Sequence, residues 1–240
     1  MSSTASSRTS SSLLARVAAG LLAGCAGYHR DHGWAVEYAD DFSNTDNWIV
    51  EAEKPARVVA RDHALDIDAP AGITLWFRHE LQSTVMIEFE ATAIRAGGEN
   101  DQVSDLNVFW MARNADGASP VYAKPRTGRF SDYDDLLAYY VGLGGNRNTT
   151  SRFRRYVGEP GNRPLLPEHD LSARSVLLVP NRRQKITLIA AGRHIEYRRE
   201  GRVLFTLDDP AAYASGWFAI RTTWSHLRIE RLRISAPLAG

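Results

Sequence analysis

With 240 residues, 44% of them apolar and 24% charged, the chain is long enough to bury one sizeable core and lies far from the composition of disordered segments. Its 29 basic and 28 acidic residues leave a formal net charge of +1, which excludes the basic footprint of a nucleic-acid binder. A single cysteine, Cys25, excludes a disulfide within the chain.

The N-terminus reads as an export signal. Ser and Thr fill most of positions 2–12, Arg8 and Arg16 supply positive charge, and a short apolar run ends in Leu22-Ala23-Gly24-Cys25. Those four residues match a bacterial lipobox, so residues 1–25 are expected to be a lipoprotein signal peptide with Cys25 as the lipid anchor. The mature protein is then an exported lipoprotein at the outer membrane, on its periplasmic or cell-surface face, touching the membrane only through that anchor. Loss of Arg8 and Arg16 moves the formal charge from +1 to −1. Only Lys54, Lys124 and Lys185 are lysines, so nearly all positive charge sits on guanidinium groups suited to paired contacts with carboxylates.

Residues 26–36 read as a linker and 37–237 as one domain. Within it, short β-branched and aromatic runs alternate with Gly, Asp, Asn and Pro clusters, the rhythm of an all-β fold. About a dozen strands are expected between Ala56 and Ile234, enough for a two-sheet jelly-roll sandwich. His194 to Arg199 alternates polar and apolar residues, and Glu200-Gly201 turns the chain into a hairpin with Val203 to Leu207. The pattern of Leu227 to Ile234 slips phase at Glu230-Arg231, which predicts a bulge.

Asp40-Asp41-Phe42 with Trp48, the run Ile73 to Phe77, and Gly216 to Arg221 resemble the concanavalin A-like (lectin/glucanase type) jelly rolls of bacterial glycan-degrading systems. Ser104 to Ala112, Tyr139 to Tyr156 and Arg163 to Ser172 are similar to strings of an uncharacterised bacterial family of such domains. The resemblance spans roughly Asp40 to Ile234 and implies the sandwich fold; by association it also implies a polysaccharide or oligosaccharide partner.

The densest polar region is Tyr139 to Tyr156. If Thr150 to Tyr156 is a strand, Arg152, Arg154 and Tyr156 share one face, with Phe153 and Arg155 on the other. Two guanidinium forks on a concave sheet face would suit the carboxylates of uronic acids, and Arg155 adds a third cation nearby. Of Tyr139 and Tyr140 only one can share that face, and Tyr140 is expected to. A phenol there could move protons in β-elimination, with Arg154 stabilising the enolate-like carboxylate. Asn107 lies in an otherwise apolar strand beside Trp110, and Asn146 and Asn148 lie in the loop; these four are candidate substrate contacts. The proline-stiffened loop Arg163 to Asp170 carries His169, a candidate general acid or base opposite Tyr140.

The expected function is therefore a polysaccharide lyase acting on a uronate-containing glycan. A non-catalytic binding module stacking sugars on Trp76, Trp110, Trp217 or Trp224 is one alternative. A glycoside hydrolase using Asp134 or Glu168 is another, although the tight acid spacing of laminarinase-type jelly rolls is missing. No metal-ligand spacing stands out, so no cofactor is required; a structural Ca²⁺ on Asp40, Asp41 or Asp209 would suit the fold.

Overall fold

The computed structural model describes Met1 and residues 33–238. The signal peptide and Cys25 lie outside the described residues. The first strand, β1 (Trp34–Asp40), opens inside the stretch expected to be linker, where it pairs antiparallel with the last strand.

Fourteen strands form one continuous antiparallel sheet that curls into a jelly roll: β1, β2 (Trp48–Ala52), β3 (Arg57–Arg61), β4 (Ala64–Phe77), β5 (Leu81–Gln82), β6 (Val85–Ala93), β7 (Leu106–Asn114), β8 (Leu136–Gly144), β9 (Thr150–Val157), β10 (Asp170–Leu171), β11 (Gln184–Ala191), β12 (His194–Arg199), β13 (Arg202–Asp208) and β14 (Ser215–Pro237). The two long strands β4 and β14 belong to both layers. The first part of β14 joins β7 and the second half of β4, whereas its last part joins β6, the first half of β4 and β1. One layer therefore runs β10-β9-β8-β7-β14-β4-β2, and the other runs from β13 through β12, β11 and β6 to β14.

Sequence alternation expected two separate strands in each of these long elements. The structure carries both through their polar interruptions, because each has backbone partners on both sides to satisfy its N–H and C=O groups. Irregularity is absorbed locally: Pro70 sits opposite the register shift between Thr223 and Ser225, where its missing N–H costs no ladder bond. The expected bulge is found, with the register of β14 against β6 slipping between Glu230 and Arg233 and Arg231 at φ 56°. The expected hairpin turn is found too, with Glu200 and Gly201 both at positive φ.

The main core lies between the layers and includes Phe89, Val108, Trp110, Tyr139, Phe153, Ile220 and Ile229. A second apolar cluster covers half of the outer, concave face: Trp76, Phe109, Tyr140, Tyr156 and Trp217 are roofed by Val121 and Tyr133 from the β7–β8 connection. The other half is open. Asp40 explains the Asp40-Asp41-Phe42 signature without a metal. Its Oδ1 accepts from the Phe42 N–H at 2.8 Å, and its Oδ2 accepts from Trp48 Nε1 at 2.9 Å, so it ties β1 to β2.

Several aspartates hold loops in their ionised form. Burial works against the charge of Asp101, Asp135 and Asp209, but hydrogen bonds outweigh it: from Ala96, Gly98 and His226 to Asp101, from Lys124 and Arg126 to Asp135, and from Arg155 and Tyr139 to Asp209. Each is held below the ordinary carboxylate value, so the unfolded chain takes up protons first as pH falls. Their stabilisation is complete above about pH 4 and is lost as pH drops through the folded values. Urea midpoints should therefore fall steeply below about pH 4, and Asp209→Asn should flatten that limb; an unchanged limb would remove Asp209 from this account.

Candidate functional site

Strand register builds the site. Directly opposed residues in adjacent antiparallel strands share a face, and the pairs Glu51–Thr74, Thr74–Arg221, Arg221–Asn107, Asn107–Gly142, Gly142–Arg152 and Arg152–Asp170 form one lateral row across the concave layer. From Arg221 to Arg152 this spans three strand spacings, about 14 Å. The next row on the same face contains Trp76, Ala219, Phe109, Tyr140 and Arg154. A cavity of about 810 Å³ opens over both rows, within the size range of small-ligand sites.

Five arginines line it: Arg147, Arg152, Arg154, Arg163 and Arg221. Arg152 is held bidentately by Asp170 at 2.8 and 3.1 Å, and Arg163 pairs with Asp134 at 3.3 Å. The other three have no hydrogen-bonded or ion-paired carboxylate among the described residues. Arg154 donates to the Arg163 carbonyl, and burial pulls its pKa down. Arg221 is 2% exposed; it donates to Thr74 Oγ1 at 2.8 Å and the Gly128 carbonyl at 2.9 Å, with its guanidinium over the rings of Phe130 and Tyr133. Arg147 lies over the indole of Trp224, whose ring forms an exposed part of the rim.

The backbone that presents Arg147 is strained. Asn146 (φ 53°, ψ 51°), Arg147 (φ 58°, ψ 46°) and Asn148 (φ 59°) form a left-handed turn between β8 and β9, a conformation costing roughly 1–2 kcal/mol per residue. Asn148 clamps it, donating to the Leu178 carbonyl at 2.9 Å and accepting from the Leu178 N–H at 2.8 Å. Val103, Asp105 and Trp224 around the same cavity also have positive φ.

Asp105, Asn107 and Tyr140 form the polar floor. Burial raises the pKa of Asp105, offset in part by hydrogen bonds from the Ser104 hydroxyl and from Asn107 Nδ2, the latter at 3.2 Å. Because that carboxylate only accepts, it fixes Nδ2 of Asn107 toward itself and leaves Oδ1 toward the cavity. Asn107 Oδ1 is buried, with no partner among the described residues. Burial also raises Tyr140 well above the usual phenol value, with repulsion from Tyr156 and Asp105 adding to it. Its hydroxyl is therefore protonated at neutral pH.

Of the residues expected from sequence, Tyr140, Arg154, Arg152, Asn107 and Asn146 meet at this cavity. The rest do not, each for a local reason. Trp110 points to the opposite face of β7 and is buried in the main core. Arg155 likewise faces the other side of β9, where it donates to Asp209 at 2.6 Å and lies over the Tyr213 ring. Asn148 has spent its amide on Leu178. Tyr156 shares the concave face but is wholly buried under the β7–β8 connection, its ring against Tyr140. His169 is not opposite Tyr140: its loop folds behind β9, the imidazole packs on Phe153 and Phe205, and Nε2 meets the Thr206 carbonyl at 2.9 Å. It cannot act as an acid or base in the cavity.

The alternatives are corrected in the same way. Trp76 and Trp217 are buried, so of the four candidate stacking tryptophans only Trp224 reaches the cavity. Asp134 and Glu168 do not line it, and its carboxylates are Asp105 and Glu53, the latter paired with Arg129 at 3.2 Å. No group of three or more His, Cys, Asp or Glu side chains among the described residues could hold a metal ion. Asp41 and Asp209, like Asp40, are engaged by backbone or side-chain donors.

The fold is a galectin-like, concanavalin A-like jelly roll with a cationic cavity on its concave face. The chain belongs to DUF6250, a domain family of unknown function whose model matches residues 67–232. Among solved structures it is similar to a galectin-like protein of unknown function from Bacillus subtilis, with 12% identity over 85% of this chain and 97% of that one and a TM-score of 0.63. It is also similar to the carbohydrate-binding module CBM66 from Bacillus subtilis (8% identity, 79% and 96% covered, TM-score 0.53). A third is an endo-β-galactosidase from Clostridium perfringens that releases GlcNAcα1-4Gal (10% identity, 88% and 65% covered, TM-score 0.53). At these identities the likeness establishes fold. No curated protein matches the chain by sequence.

Proposed function

We propose that the domain binds an acidic, uronate-containing polysaccharide in this cavity and cleaves it by β-elimination. The observation that carries the reading is the set Arg147, Arg154 and Arg221, three cavity-lining guanidinium groups without a carboxylate partner among the described residues. Arg221 is buried, Arg154 half-buried and Arg147 exposed at the rim; a buried cation needs counter-charge, and a uronate carboxylate supplies it in the planar geometry that guanidinium forks match. The sugar-directed activities of the binding module and the endo-β-galactosidase with the same fold support carbohydrate as the ligand class. Read with the leader as a lipoprotein signal, the domain would work at the outer membrane, where such glycans reach it.

In the proposed chemistry an arginine holds the carboxylate and stabilises the enolate-like charge. Asp105, its affinity for protons raised, accepts the proton from C5. The C5–H electron pair becomes the C4–C5 double bond as the C4–O bond breaks, and the leaving oxygen takes the Tyr140 proton. Asp105 replaces His169 as the base. A second reading, a binding module without catalysis, is favoured by the exposed indole of Trp224 at the cavity rim.

The test is incubation with galacturonate, glucuronate and mannuronate/guluronate polymers, following absorbance near ~235 nm and reducing ends together. Rising absorbance is the expected result, with Arg154→Ala weakening substrate affinity about 10- to 100-fold. Reducing ends without absorbance would mean hydrolysis; binding without products would mean a module. Absence of both binding and products across the panel overturns the reading.

A further inference from the structure

Gly142 occupies the centre of the polar row, in the interior of β8, with no left-handed backbone to require glycine. Its bare Cα lets the Tyr140 hydroxyl and ring edge, and beside them Asn107 Oδ1, lie close over the strand at the edge of the cavity. A Cβ at this position would stand 2.8 Å from Tyr140 Oη and 3.3 Å from Asn107 Oδ1, and Gly142 itself lines the cavity. Glycine in a strand interior is otherwise a cost, and it marks places where a ligand or another backbone must come close. No other backbone occupies the spot: the nearest atoms are the side chains of Tyr140 and Asn107.

Asn107 Oδ1 sits there as a buried acceptor with no donor among the described residues. Asn107 is 3% exposed, and its orientation is fixed by Asp105, so the amide cannot turn to offer its donors instead. An unpaired buried acceptor costs about 1–3 kcal/mol. Arg221 and Arg152 flank it in the row without donating to it: Arg221 Nη1 donates to Thr74 and Gly128, and Arg152 is held by Asp170. The Tyr140 hydroxyl lies beside Gly142 but does not hydrogen-bond Asn107, so what Oδ1 lacks is a donor brought by a ligand, and on a sugar that donor is a hydroxyl.

Resting on the acidic-glycan reading, we infer that Asn107 and Gly142 form a hydroxyl-reading subsite. The sugar unit seated beside Gly142 presents a free hydroxyl to Asn107 Oδ1, and the protein selects polyuronates unsubstituted at that position over their O-acylated forms. Two effects add. An ester removes the donor, leaving Asn107 unpaired, and its acyl group would have to displace the Tyr140 hydroxyl that already lies over Gly142. Sites that hydrogen-bond a substrate hydroxyl reject analogues lacking it far more strongly than apolar pockets reject extra carbon.

The experiment measures binding by calorimetry for the same polyuronate panel, each polymer in native and densely O-acetylated form, with the wild-type protein, Asn107→Ala and Gly142→Ala. Wild type is expected to bind a native polymer about 100-fold or more tightly than its acetylated form. Gly142→Ala should lose native binding and melt below wild type, because its Cβ would stand 2.8 Å from the hydroxyl of the buried Tyr140 and force that side chain to move. Asn107→Ala should bind weakly and discriminate little. Affinities within about threefold for native and acetylated polymer, or normal binding by Gly142→Ala, overturn the subsite and leave the acidic-glycan reading standing. No binding of any polymer by wild type removes that reading, and the subsite with it.

Discussion

Tyr140→Phe is expected to lower the rate of uronate cleavage by about 10²- to 10⁴-fold, the usual worth of a positioned proton donor, while changing substrate affinity little. The asymmetry follows from its surroundings. The ring packs on Phe109, Phe130 and Tyr156, and phenylalanine keeps all of those contacts. Only the hydroxyl is lost, and among the described residues no side-chain hydrogen bond holds it in place. Because burial keeps the phenol protonated, its role is to give a proton to the departing oxygen, so kcat should carry the loss. The same logic fixes the pH profile. Asp105 must be ionised to accept the C5 proton, so the acid limb of kcat/KM should lie above the ordinary aspartate range, in the direction burial drives Asp105. An unchanged rate for Tyr140→Phe would remove it from the chemistry, and loss of binding with loss of rate would recast it as a contact.

The half of the site made by one strand face was legible in sequence. Alternation in Thr150 to Tyr156 separated Arg152 and Arg154 from Phe153 and Arg155, and the pairing of Tyr140 with Arg154 follows from the short β8–β9 turn. The other half came from distant strands. Arg221 stands in the run Gly216 to Thr222, which reads as an apolar core strand, yet a lone guanidinium in such a run carried the same signal as Asn107 in Leu106 to Trp110. Register makes the two neighbours, and register across 114 positions of chain is beyond periodicity. Asp105 was hidden for a related reason: it precedes the strand, and only its positive φ turns it toward the cavity.

His169 failed for the opposite reason. Two prolines stiffen its loop, but stiffness does not say which face of the sheet the loop crosses. The loop folds behind β9 because Phe153 and Phe205 offer an apolar seat there, and the imidazole closes that edge of the core. Trp110 failed by phase, since three positions from Asn107 plain alternation already turns it into the core, and the bulge at Met111 (φ 51°) only then brings Ala112 outward opposite Trp217. Fold-level alternation survives such bulges; the facing of a single side chain does not.

The largest expected effect on stability is at Glu51. Its Oε2 accepts from Trp76 Nε1 at 2.9 Å and from Tyr133 Oη at 2.7 Å, both rings being fully buried, and so it fastens the β7–β8 connection onto the concave face. Glu51→Ala strands two buried donors at about 1–3 kcal/mol each, so urea unfolding should show a loss of about 2–6 kcal/mol. Glu51→Gln separates the hydrogen bonds from the charge. Burial holds the Glu51 pKa above its ordinary value despite Tyr133, Trp76 and the nearby Arg126 and Arg221. A raised carboxylate gives its full stabilisation below the unfolded pKa and loses part of it as pH rises through the folded one. The amide oxygen keeps both acceptor contacts without that loss, so Glu51→Gln should stay close to wild type at pH 7, and the mutant's stability should fall less than wild type's as pH is raised from acid. If glutamine costs as much as alanine, the charge facing Arg126 and Arg221 outweighs the hydrogen bonds in holding the roof. The wall of the cavity would then rest on the same electrostatic balance that leaves Arg221 without a carboxylate of its own.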